Sequence, residues 1–151
     1  MTAGLADTAR TALRGVARRP MASTPTALAL VAAGGAAGSL ARYLLATWTL
    51  QAAAPQKFPV GTLLVNLAGC LLAGLLAGLA ERYPGWLTEE LRLLLFVGVL
   101  GGFTTFSAFG LETVQLLRRG EWLVAGGYVG ASVLLGLALV LLGIRLAGPG
   151  G

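Results

Sequence analysis

The chain has 151 residues, of which 56% are hydrophobic and 11% are charged, and its mean hydropathy is +0.81. Soluble domains carry roughly 25% charged residues, so this composition excludes an ordinary soluble domain and favours a membrane protein. The net charge of +5 does not indicate nucleic-acid binding, because the basic residues flank apolar runs instead of forming a patch with interleaved aromatics. With no histidine and a single cysteine, Cys70, the sequence offers no CxxC metal site and no histidine-based catalysis, and we predict that the protein is not an enzyme.

Residues 1–25 form a basic segment without an apolar run long enough to cross a bilayer. Its arginines are Arg10, Arg14, Arg18 and Arg19. We predict a disordered or surface-lying tail. The alternative is a signal peptide with LALVAAGGAAGSLA as its apolar core, but three further apolar runs downstream favour a first transmembrane helix at this point.

Residues 26–147 are predicted to form one all-α transmembrane domain of four helices. The predicted helices cover about 26–50, 58–81, 88–117 and 122–146. Trp48, Tyr83 and Trp86 fall at the ends of these runs, where aromatic side chains mark the membrane interface. The third helix is too long for a simple span, so it must be tilted, broken, or both. The last residues, 148–151, are predicted to be disordered.

The stretch GGFTTFSAFG predicts a break in the middle of the third helix. Gly101 and Gly102 each weaken a helix by about 1 kcal/mol relative to alanine. Thr104 and Thr105 are β-branched, and their hydroxyls compete for backbone hydrogen bonds. A helix that ends near Gly101 would expose carbonyl groups suited to a small cation, and one that begins near Thr105 would expose N–H groups.

Two features inside the spans admit both a structural and a functional interpretation. Asn66 lies four residues after Thr62, so the two side chains share one face of helix two. Its amide can form an interhelical hydrogen bond or line a pore. Phe106 and Phe109 lie three residues apart and can be ordinary core or lipid contacts. Alternatively, their electropositive ring edges can line a path for an anion.

Other polar side chains lie on the remaining helices. Arg42, about two turns before the end of helix one, is predicted to be a structural anchor that snorkels to the interface. Glu112 shares a face with the two phenylalanines of helix three, and we expect it near the membrane surface, in a possible pore vestibule. Helix four carries Tyr128 and Ser132 four residues apart, with Gly136 continuing that face.

The charges of the connecting loops nearly balance across the membrane. The side that holds both termini carries Arg82 and Arg145, and the other side carries Lys57, Arg118 and Arg119. A balanced core is expected of a chain that inserts in both orientations, so two opposed copies would form an antiparallel dimer. The arginine-rich tail works against this balance by favouring termini in the cytoplasm.

Three motifs carry a resemblance to a known family: GGAAGSLARY, FPVGTLLVNLAGCLLAG and GVLGGFTTFSAFGLE. In this order they resemble the Fluc (CrcB) fluoride channels, over about residues 31–145. The resemblance implies a dual-topology antiparallel homodimer with two fluoride pores and a structural sodium ion at the dimer interface. It also implies passive export of fluoride across the cytoplasmic (inner) membrane of a bacterium.

The resemblance implies roles for individual residues. Sodium would be bound by the backbone carbonyls of Gly101 and Thr104. The pore would be lined by Phe106, Phe109 and Asn66. A polar track would follow Thr62, Tyr128 and Ser132, with Ser107 nearby. The sequence departs from the commoner family pattern at Gly136, where many relatives carry another serine.

Three alternatives to a channel are weaker. A drug/proton antiporter of the small multidrug resistance type needs a carboxylate in helix one, and no Asp or Glu lies there. A purely structural subunit would give no role to the predicted break or to Asn66. An intramembrane hydrolase would need a base beside Ser107, and the sequence places neither His nor Lys near it.

Overall fold

A computed structural model describes residues 22–52 and 58–150, without the side chains of residues 50–52. In this part of the chain every regular element is helical, and four helical spans are long and apolar enough to cross a membrane. The prediction of an all-α membrane protein with four spans is therefore confirmed. The predicted tail lies outside the described residues as far as residue 21, and so does Lys57.

The helices begin and end within two residues of their predicted limits. Helix α1 is Thr24–Ala52, α2 is Val60–Arg82 and α5 is Trp122–Ala147. The third span, Glu89–Arg118, contains α3 at 89–103 and α4 at Phe106–Arg118. Residues 148–150, predicted to be disordered, continue from α5 as a turn in which the Gly148 N–H donates to the Ile144 carbonyl.

The third span departs from α-helical geometry at two places. After a first turn at Glu89–Arg92, residues Leu93–Leu100 form a π-helix, whose hydrogen bonds are wider than those of an α-helix. The α-helix resumes at Gly101–Phe103. It stops at Thr104 and Thr105, whose φ/ψ angles of −79°/159° and −148°/117° are extended. The span as a whole bends by 21°. Its two segments therefore remain close to collinear.

Glycines allow two pairs of helices to approach closely. Helix α1 packs on α3, where a Cβ atom on Gly34 would lie 2.6 Å from the Leu94 carbonyl oxygen. Helix α2 packs on α5, where a Cβ atom on Gly143 would lie 2.6 Å from the Leu75 nitrogen. Because lipid provides no hydrophobic force between helices, such close backbone contacts stabilise the bundle.

Tyr128 on α5 is the centre of the buried cluster, with none of its surface exposed. It packs with Leu116 of α4 and Ala125 of α5, and Phe58 and Phe109 cover the cluster from the sides. This packing fixes the rotation of α4 against α5. The polar side chains of α4 and α5 thereby come close to those of α2.

Candidate functional site

Asn66 of α2 binds the backbone where the third span is interrupted. Its Oδ1 accepts a hydrogen bond from the Thr105 N–H at 2.9 Å, and its Nδ2 donates to the Thr105 carbonyl at 3.0 Å. Both polar atoms of the amide are therefore engaged by one residue, 39 positions along the chain. The interhelical hydrogen bond that the sequence allowed is therefore present. Because Thr105 directly precedes Phe106, this bond is compatible with a position of Asn66 beside a pore.

Thr105 begins α4 with its own side chain. Its Oγ1 accepts from the Ala108 N–H at 3.2 Å, which satisfies one of the free N–H groups of the first helical turn. In an uninterrupted helix the Thr105 N–H would donate to the carbonyl of Gly101, four residues earlier. Here it donates to Asn66 instead. The Gly101 carbonyl oxygen therefore does not receive the Thr105 N–H that it would accept in a continuous helix.

Two side chains of α1 converge on the neighbouring carbonyl. Arg42 Nε donates to the Gly102 carbonyl oxygen at 3.1 Å, and the Ser39 hydroxyl donates to the same atom at 3.5 Å. This places the half-buried Arg42 at the end of α3. The predicted anchor therefore contacts the protein backbone at the interruption, and the resulting bonds tie α1 to it.

A second polar group lies farther along α4. Glu112 accepts hydrogen bonds from two hydroxyls: Thr62 Oγ1 donates to one carboxylate oxygen and the Tyr128 hydroxyl to the other, each at 2.7 Å. Three helices thus meet at one carboxylate. Spacing along the chain did not predict this meeting, because it depends on how the helices are rotated about their axes.

The aromatic rings connect the two polar groups. The Phe106 and Phe109 ring centroids lie 5.5 Å apart with a tilt of 42° between their planes. Phe109 lies 5.1 Å from the Tyr128 ring, tilted by 53°. Tilted pairs present ring edges and not only faces, and the edges are the electropositive part of the ring. Phe106 is 83% exposed in the single chain, whereas Phe109 is half-buried.

The remaining predicted pathway residues lie at the margins of these groups. The Ser107 hydroxyl is 3.3 Å from Thr105 Oγ1 and exposed. Ser132 Oγ is buried, and the described part of the chain gives it no hydrogen-bond partner. One turn further on, a Cβ atom on Gly136 would lie 3.3 Å from Cys70 Sγ. Among the described residues, no hydrogen bond joins Ser107 to Ser132.

Comparison with known proteins assigns the chain to a family. Residues 29–144 match the family model described as CrcB-like protein, Camphor Resistance (CrcB). The chain belongs to the CrcB family. The match covers all four membrane spans apart from the first residues of α1 and the last of α5, and it includes every candidate site residue named above.

Curated relatives of this CrcB protein are named "Fluoride-specific ion channel FluC". One from Methylobacillus flagellatus is 50% identical over 117 residues, which are 78% of this chain and 91% of that protein. One from Rhizobium leguminosarum bv. trifolii is 52% identical over 118 residues, 78% of this chain and 92% of that protein. Their names describe ion channels and not enzymes, in agreement with the prediction that the chain is not an enzyme.

Sequence reasoning missed three participants of the CrcB site. Phe58 stacks edge-on against Tyr128 at 5.5 Å between ring centroids, Ser39 shares the Gly102 carbonyl with Arg42, and Gly69 faces the interruption. Gly69 lies three residues after Asn66 on the same face of α2, a helical spacing that would have identified it. Ser39 likewise lies three residues before Arg42. No comparable signal marks Phe58.

Proposed function

We propose that this CrcB-family protein is a fluoride-selective ion channel that lets fluoride leave the bacterial cytoplasm passively. The observation that carries the proposal is a series of neighbouring groups: the Asn66–Thr105 pair, the ring of the adjoining Phe106, the Phe109 ring and Tyr128 with its hydroxyl. The names of the curated relatives support it. A membrane potential that is negative inside drives an anion outward through such a pore, so that no further energy source is needed.

The chemistry of this series suits a small, strongly hydrated anion. An anion that leaves water needs hydrogen-bond donors in place of its hydration shell, because an ion without partners in a dry pore has a very high free energy. Here an amide donor lies at one end of the two phenylalanine ring edges and a hydroxyl donor at the other, and the series itself contains no lysine or arginine. Conduction needs several weak sites, and a full positive charge would hold the ion too strongly for release.

Glu112 sets the resting state of the two hydroxyls in this proposal. Thr62 and Tyr128 both donate to its carboxylate, so their hydrogens point at an anionic group already. A fluoride ion that arrives there competes with the carboxylate for the same hydrogens. The carboxylate thus keeps the donors in place between passages of the ion and, by its charge, helps to expel the ion onward.

We propose that the channel is an antiparallel, dual-topology homodimer with two pores. Phe106 is 83% exposed although it belongs to the proposed pathway, so a second copy must cover it to close the pore from lipid. The near balance of positively charged residues between the two sides of the membrane, seen in the sequence, supports insertion in both orientations.

The same proposal includes a sodium ion at the interface between the two copies. It also includes a functional break in the third helix at Thr104 and Thr105. The carbonyls of Gly101 and Thr104 would hold the ion, since carbonyl oxygens suit hard cations. The exposure of Gly101 and the diversion of the Thr105 N–H to Asn66 both fit this assignment. When bound, sodium would neutralise the carbonyl dipoles where two copies meet.

The test is fluoride efflux from liposomes that contain the purified full-length protein, followed with a fluoride electrode. We expect fast efflux that requires valinomycin to dissipate the charge, with chloride-loaded vesicles showing no comparable release. Efflux without valinomycin would mean electroneutral transport and would contradict a channel. Proton-coupled uptake of a cationic dye in place of fluoride efflux would favour the antiporter, although α1 carries no acidic residue.

A further inference from the structure

Gly69 of α2 lies directly against the interruption in the third span. It is buried, and a Cβ atom at this position would overlap the Cγ2 methyl of Thr104 and lie 3.5 Å from the Phe103 ring. The methyl of Thr104 therefore occupies the space that any other residue at position 69 would fill. The contact is specific, because the overlapping atom belongs to one side chain and not to a helix backbone.

The Thr104 side chain cannot easily move away from this contact. Its Oγ1 donates to the Leu100 carbonyl at 2.9 Å, and a β-branched residue has few χ1 rotamers. Rotation of the methyl would therefore break that hydrogen bond. On the other side, Phe103 is buried with 8% exposure and leaves little room for the backbone to shift.

The next residue is fixed by the same face of α2. Asn66, three residues before Gly69, holds the Thr105 N–H and carbonyl through two hydrogen bonds. The peptide group between Thr104 and Thr105 is thus held at its nitrogen by Asn66 and approached on the Thr104 side by Gly69. The direction of the Thr104 carbonyl, which belongs to this peptide group, depends on both contacts.

We infer that Gly69 is a positioning residue for the Thr104 carbonyl: its missing side chain lets the Thr104 methyl dock against α2 and so sets the cation site proposed at Gly101 and Thr104. This inference rests on the proposed function, because it assigns Gly69 to the sodium site of the channel. Gly69 itself would contact neither sodium nor fluoride. It acts only through the docked threonine.

The experiment is a double-mutant cycle between Gly69→Ala and Thr104→Ser in the full-length protein. The first change adds the overlapping methyl, and the second removes the methyl that it would strike while keeping the hydroxyl for Leu100. Two quantities are measured over a series of sodium concentrations, with N-methylglucamine as replacement cation: fluoride efflux from liposomes, and the melting temperature in detergent.

We expect Gly69→Ala to need about tenfold more sodium than the wild type for half-maximal efflux and for half of the sodium-dependent rise in melting temperature. In the Thr104→Ser background the same alanine should change both values by less than about twofold, since the overlap is gone. Gly126→Ala is the control, because a Cβ atom there meets nothing within 4 Å in the chain. It should leave the sodium dependence at the wild-type value.

The outcomes separate this inference from the proposed function. A wild type that is stabilised by sodium but releases no fluoride would refute the channel and leave the positioning role intact. An unchanged sodium dependence in Gly69→Ala, or an equal effect of the alanine in both backgrounds, would overturn the positioning role. So would a wild type that responds to sodium in neither measurement. If Gly69→Ala alone does not fold, failure of Thr104→Ser to restore folding overturns it equally.

Discussion

Tyr128 shows how much of the proposed pathway depends on single side chains. It is fully buried, its ring contacts Phe109, and its hydroxyl donates to Glu112 at 2.7 Å. A buried hydroxyl without a hydrogen-bond partner would reduce the stability of the fold. A carboxylate that loses a hydrogen-bond donor would reduce it further. One residue therefore links the aromatic and the acidic parts of the site, and conservative changes can separate the two.

Tyr128→Phe should lower the free energy of unfolding by about 2 kcal/mol, because Glu112 loses a charge-assisted hydrogen bond while the ring packing is kept. Thermal unfolding in detergent measures the change. Tyr43→Phe is the matched control, since Tyr43 is 66% exposed. Equal melting temperatures for Tyr128→Phe and Tyr43→Phe would show that the Glu112 bond contributes nothing to stability.

Phe106→Ile and Phe109→Ile should each reduce fluoride efflux strongly, because isoleucine keeps apolar volume but has no electropositive ring edge. Assembly should persist for Phe106→Ile, whose side chain is mostly exposed in the chain. Size-exclusion chromatography with light scattering checks assembly, and liposome efflux checks transport. Leu123→Ala, at a residue 93% exposed, serves as the control. Unchanged efflux in both phenylalanine variants would remove the aromatic pathway.

At the scale of helices, the packing of α1 on α3 distinguishes the two glycines of the GGFTT stretch. A Cβ atom on Gly102 would lie 2.5 Å from the Gly35 carbonyl oxygen, which is backbone and cannot give way. A Cβ atom on Gly101 would meet only the Phe96 carbonyl oxygen, at an ordinary 3.7 Å. Adjacent glycines thus have different tasks, one in packing and one at the exposed end of α3.

Gly102→Ala should therefore destabilise the protein by about 2 kcal/mol or more, because overpacking separates α1 from α3. Gly101→Ala should fold with nearly wild-type stability. Thermal unfolding of the two variants side by side measures the difference. A Gly101→Ala protein that is the less stable of the two would contradict the assignment of the packing contact to Gly102.

The sequence predicted the helices better than the contacts between them. Apolar runs of spanning length and the interfacial aromatics placed each helix end within two residues. The π-helix at Leu93–Leu100 was not predicted, because it depends on tertiary packing and not on a local signal. Asn66 and Glu112 were recognised as notable residues, but their partners, Thr105 and the Thr62–Tyr128 pair, follow only from helix rotation.

At the scale of the whole molecule, orientation in the membrane should depend on a small difference in charge. The core loops nearly balance, and the basic residues of the N-terminal segment are the largest single bias in the sequence. Neutralising a few arginines can therefore change the ratio of the two orientations. A strongly biased protein would not respond in this way.

With a reporter fused to the C-terminus, we expect both a cytoplasmic fluorescent protein and a periplasmic alkaline phosphatase to be active on the full-length chain. Replacing Arg10, Arg14, Arg18 and Arg19 by glutamine should raise the phosphatase signal relative to fluorescence. The wild-type fusions are the reference. Activity of only one reporter in both proteins would mean a single orientation, and the antiparallel dimer would then be wrong.

The closest glycine contacts to the backbone of another helix join helices that are not neighbours along the chain. Helix α1 finds its close partner in α3, and α2 finds its partner in α5. During synthesis the first two spans thus leave the ribosome before either partner exists, and no early hairpin can hide their glycine-lined faces. The first such face is covered only once α3 has been made, and the second only when the last span is complete. A chain that lacks the last span therefore leaves the small-residue face of α2 uncovered.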